Sequence, residues 1–186
     1  MPGPPSTDHA PSPSADPVVR ASHYLYQVRR RSPDSNWIKM ANPDHQYLAV
    51  LTWMGNHIDT LNQKFHGILT DLIACWPVHQ RIAMDILVAP LDPDLGIDGF
   101  CCFHPQPITL VVDPGRIIAA NWPQLVGHEV AHAMARSPGH GEPFYQTLAH
   151  LCIAQGWPLP PPDRDRLRYW PPCQPHPQPE QFWLGN

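Results

Sequence analysis

Tyr47, Leu51, Met54, Ile58, Leu61, Phe65, Ile68 and Leu72 recur at alternating steps of four and three residues. That spacing holds them on one face of an α-helix and predicts a long amphipathic helix. Gly55 and Gly67 lower its propensity, so Gly67 marks a place for a kink, and Trp76-Pro77 ends the run. A stripe of this length cannot stay in water. The rest of the chain has to supply its cover.

The following segments read as that cover. "RIAMDILVAP" (81–90) is apolar and β-rich, and "LDPDLGIDG" carries turn chemistry throughout. "FCCFH" and "ITLVVD", separated by "PQP", read as two neighbouring strands, the second closing at Asp113-Pro114-Gly115. "GRIIAANWPQLVGHEVAHAMARS" is helical, as one helix or two, with Asn121 as an N-cap before Trp122-Pro123 and Ser137-Pro138-Gly139 as its stop. A last helix starts near Pro143 and ends at Gly156, a C-cap residue. The order predicts an α+β domain over 44–157, with a long N-terminal helix, a small β-sheet, a site-bearing helix and a following helix.

The flanks differ in composition. Much of the chain's complement of 26 prolines crowds its two ends. Residues 1–17 read as a disordered leader rich in proline and serine. Residues 18–43 have no decisive pattern: "HYLYQVRRRS" suits a short strand or a helix, and Arg29, Arg30 and Arg31 read as a solvated basic turn. Residues 158–186 read as an extended proline-rich tail, with Tyr169, Trp170, Phe182 and Trp183 available to pin it to the domain.

A net charge of -4 gives no general reason to expect nucleic acid. No apolar run reaches the roughly 18–20 residues of a membrane span, and the first residues lack the basic start and apolar stretch of a secretion signal. The expectation is a soluble cytoplasmic protein. Its five cysteines, odd in number and without framework spacing, read as reduced thiols.

The chain has three glutamates, and one of them stands between two histidines in "GHEVAHAMARSPGHGEPF" (127–144). On a helix, His128 and His132 project from one face and can share a metal ion. Glu129 adjoins the first of them, where its carboxylate can reach a water at the metal without being a ligand. Two histidines on Zn²⁺, with a glutamate taking a proton from water, make the chemistry of a hydrolase. The competing reading is an ordinary helix with two core or solvated histidines and a surface carboxylate. A catalytic zinc needs a third protein ligand. His140, after a turn able to reverse the chain, is favoured over His150 and Glu142.

"HEVAH", a short linker and "HGEPF" resemble the SprT-like zincin metallopeptidases, whose pattern is HExxH followed by HGxxF. The resemblance implies a zincin-like fold, one Zn²⁺ on His128, His132 and His140, and Glu129 as general base. It further implies that Gly141 is a close-approach position and that Phe144 is a packing aromatic. Protein or peptide would be the substrate, extended along a strand beside the site helix, either "ITLVVD" or "FCCF". The resemblance covers about 44–157, with only 127–144 specific. The linker is short, and the cysteine-rich zinc ribbon that many members carry is missing: Cys173 and His176 are a lone half-site. A DNA-dependent role is therefore not implied.

Cys101, Cys102 and His104 make a poor metal set, because adjacent cysteines on a strand point to opposite faces. His45, His57, His66 and His79 read as surface residues. His104, His150 and Asp113 are candidates to orient a ligand histidine. Tyr145, Tyr169, His104 or an arginine is a candidate to stabilise an oxyanion. The alternative to an enzyme is a catalytically silent zincin-fold module with a structural zinc.

Overall fold

The computed structural model describes residues 15–186, the Arg164 side chain apart; the expected leader falls almost wholly outside them. The described residues form an α+β fold of six α-helices and one three-stranded mixed sheet. The segment 18–43 resolves into a helix, α1 (Pro17–Arg31). Asp16 caps it by accepting from the Val18 N–H at 2.8 Å, and Pro17 fits its first turn. Ala21, Leu25 and Val28 are its buried face.

The long stripe forms α2 (Tyr47–Ile73), which runs through Gly67 as an α-helix. Leu51, Met54, Ile58, Phe65 and Leu72 are buried, whereas Tyr47 is exposed and Leu61 and Ile68 are only partly covered. A strict 3.5-residue repeat drifts against 3.6 residues per turn, so Leu69 takes the core position one residue after Ile68. Gly55 does the opposite of weakening the helix. A Cβ there would fall on the Pro17 carbonyl, so its absence lets the start of α1 lie directly on the α2 backbone. Arg20 then forks onto the Gly55 carbonyl, with Nε at 3.0 Å and Nη2 at 2.8 Å.

The sheet contains β1 (Met84–Val88), β2 (Gly99–Cys102) and β3 (Ile108–Val112) in the order β1-β3-β2. β3 is buried throughout and pairs in parallel with β1 and antiparallel with β2. α2, β2 and β3 all pack on α3 (Trp122–Ala135), which in turn packs on α4 (Glu142–Gln155). α4 ends as expected: Gly156 adopts φ 67°, and the Trp157 N–H reaches back to the Cys152 carbonyl at 2.8 Å.

The C-terminal part is not simply an extended tail. It holds two single-turn helices, α5 (Arg164–Leu167) and α6 (Pro179–Phe182), and it buries Leu167 and Trp183. The packed unit thus extends on both sides of 44–157. Among the described residues no helix is long and apolar enough to cross a membrane.

Candidate metal centre

α3 is the best buried helix of the fold, with Leu125, Val126, Val130, Ala131 and Ala133 all in the core. Its sequence is apolar on nearly every side, which places the polar residues 128, 129 and 132 inside the protein. Asn121 stands at the N-cap position, but its side chain does not cap; Oδ1 accepts from the Gln174 N–H at 2.8 Å. Arg136 ends the helix at φ 49°, and the chain reverses through Ser137-Pro138-Gly139 to His140 and the start of α4.

This reversal brings His128, His132 and His140 together, with one ring nitrogen from each within 4.8 Å of the others. Phe144, fully buried on α4, lies under all three rings at centroid distances of 5.0, 4.3 and 4.8 Å. It fixes their tilt without competing for their nitrogens. Neither alternative third ligand is near. His150 Nε2 donates to the Cys75 carbonyl and its ring lies against Trp76, while Glu142 accepts from Gln146 within α4.

The protonation pattern follows from the partners. His128 Nδ1 lies 2.8 Å from the Trp170 carbonyl, and His132 Nδ1 lies 2.8 Å from the Ser137 carbonyl. A carbonyl only accepts, so each Nδ1 carries its ring's hydrogen. Burial holds both imidazoles neutral, pushing His128 down to about 3 and His132 to about 4. Burial first, and then the Arg168 charge, also lower His140.

A neutral ring with hydrogen on Nδ1 presents an electron pair at Nε2. Yet the Nε2 atoms of His128 and His132 are 3.2 Å apart, as are those of His128 and His140. For the first pair no hydrogen is available to bridge them, so this is not a hydrogen bond. The separation matches that of nitrogens able to share one cation: bonds of about 2.0–2.1 Å at a tetrahedral angle put them about 3.3 Å apart. The donor set fits a metal ion.

Glu129 is nearly fully buried and lines a cavity of about 500 Å³ together with the three histidines. Burial first, and then the negative charge of Asp98, push its carboxyl up to about 8. Gly99 of β2 makes room for it; a Cβ there would stand 3.0 Å from Glu129 Oε1. The cavity's other walls include the aromatic side chains Trp37, Phe100, Phe103, Tyr169 and Trp170. β3 is paired on both edges, so "ITLVVD" has no edge left for an added strand, whereas among the described residues β2 pairs only with β3.

Among the other expected residues, Tyr169 and Arg168 line the cavity, but Tyr145 and His104 do not. Asp113 touches no histidine. It accepts from the Leu91 and Gly115 N–H groups and from Trp183 Nε1, tying the end of β3 to the C-terminus. Cys101 lines the cavity, and burial raises its thiol pKa well above the usual range, as it raises that of Cys102 to about 11. Sequence reasoning missed the Trp170 carbonyl, Asp98 and the space above Gly99. The last two lay in a stretch legible only as a turn.

Compared with protein families, with curated proteins and with solved structures, the chain matches none.

Proposed function

We propose that the protein is a zinc-dependent peptidase with a zincin-like fold, similar in its site to the SprT-like metallopeptidases. The observation that carries this reading is the grouping of one ring nitrogen from each of three histidines within 4.8 Å, with His128 Nε2 3.2 Å from Nε2 of each of the other two, beside a buried carboxylate lining the same cavity. His128, His132 and His140 would hold the zinc. When bound, zinc supplies a Lewis acid that polarises the scissile carbonyl and makes water more acidic.

The chain's own residues do the rest. Glu129 takes a proton from the attacking water as the new C–O bond forms, and returns it to the amine as the C–N bond breaks. Burial makes it a stronger base than a surface carboxylate, while a dication at the histidines pulls in the opposite direction, leaving a base suited to neutral pH. The substrate lies extended along the open edge of β2. Tyr169 or Arg168, both on the cavity wall, donates to the developing oxyanion.

The alternative, a silent module with structural zinc, calls for a closed four-ligand site. Among the described residues the cluster offers three donors, which supports the enzyme. A Glu129→Gln variant tests the choice. It should keep its zinc and lose on the order of 10²–10⁴ in peptide hydrolysis; undiminished hydrolysis by zinc-loaded variant contradicts the assignment.

A further inference from the structure

The two histidines on α3 obtain their Nδ1 partners in different ways. His132 is served by Ser137, five residues away at the end of its own helix, a contact that forms whenever the helix turn forms. His128 is served by Trp170, 42 residues further along the chain. Among the described residues, the hydrogen-bond partner of its Nδ1 comes from outside α3 and the turn that follows it. We propose that the C-terminal segment 164–186 completes the metal centre, with the main-chain carbonyl of Trp170 as a positioning group for His128 and metal affinity dependent on that segment being docked. The inference rests on the metal-site reading.

Anchors on both sides hold the carbonyl in place. Before it, Leu167 is fully buried and its carbonyl accepts from the Trp170 N–H at 3.0 Å, while Trp170 Nε1 donates to the Pro158 carbonyl at 3.1 Å. After it, residues 174–176 run beside 116–121, the stretch that leads into α3. There the Gln174 carbonyl accepts from Ile118 at 3.0 Å, its N–H donates to Asn121 Oδ1 at 2.8 Å, and the His176 N–H donates to Arg116 at 2.8 Å. Trp183 closes the segment, buried and donating to Asp113 Oδ1 at 3.1 Å. A hydrogen bond from a ligand histidine to a fixed carbonyl sets its tautomer and aims its electron pair. Coupling of this kind is reciprocal, so a metal that holds His128 also holds the segment against the domain.

The test is a competition titration of zinc against a chromophoric chelator, on the full chain as wild type, Leu167→Ala and Leu69→Ala. Leu167→Ala removes the buried anchor next to the carbonyl; Leu69→Ala opens a comparable hole in α2. The expected result is a zinc affinity about 10–100-fold weaker in Leu167→Ala and unchanged in Leu69→Ala. Equal affinities in all three, or equal losses in both variants, would overturn the inference while leaving the metal site intact. Hydrogen exchange on the wild type decides the matter even if Leu167→Ala does not fold. Zinc should slow the amides of 164–176, and exchange there that is indifferent to zinc would overturn the inference. Wild type that takes up no zinc overturns the metal reading and this inference together.

Discussion

Two neighbouring groups bear most directly on what the site can do: the Glu129 carboxylate and the hydrogen that Gly99 carries in place of a Cβ. A methyl at position 99 would stand 3.0 Å from Oε1, 3.1 Å from Cγ and 3.1 Å from the Val111 carbonyl. The strand cannot yield easily, so the carboxylate has to. Gly99→Ala should keep one zinc per chain and lose turnover as the carboxylate shifts by a few tenths of an ångström, with about 10², the cost of displacing a reacting group by a full ångström, as the upper bound. Full turnover would mean that Glu129 does not work from its present position. The histidines make a separate prediction for protein stripped of metal with a chelator. Their folded-state pKa values of about 3 and 4 lie below the unfolded value of about 6.5. The unfolded chain therefore binds more protons, and stability falls as the pH drops from about 6.5 towards 4. Glu129, raised to about 8, titrates in the opposite sense over this range, so denaturant midpoints are compared in the Glu129→Gln background, where a flat profile would mean that the rings are not buried neutral.

At the scale of elements, periodicity did most of the work. α2 was legible from its apolar stripe, the three strands from short apolar runs between turn residues, and α3 and α4 from the residues that start and stop them. α1 was not legible in that way. Ala21, Leu25 and Val28 are spaced correctly, but serine, histidine, tyrosine and glutamine between them blur the stripe. Gly55 illustrates the same limit, since its weak helix propensity is readable while its role as the landing point of α1 is a tertiary fact. Gly55→Ala should therefore destabilise the protein by about 1–3 kcal/mol, as overpacking does, although alanine is the better helix former. Thermal or denaturant melting measures it; a stabilised variant would show that α1 does not pack there.

On the scale of the whole molecule, the site is assembled from three parts of the chain: α3 and its following turn, the β2 edge with Asp98 and Gly99, and the C-terminal segment. The first was legible because ligand spacing on a helix is a residue-level signal. The last was not, because the group it contributes to the histidines is a main-chain carbonyl, which every residue possesses. Proline density pointed to an extended tail, and Leu167 and Trp183 overrode it by burying themselves in the domain. The central claim, that two histidines of α3 and a third from the turn after it hold one zinc ion, is tested most directly by zinc content per chain in purified wild type beside His140→Ala. One zinc per wild-type chain, largely lost from the variant, is the expected result. Equal zinc in both, or none in either after supplementation, would contradict it.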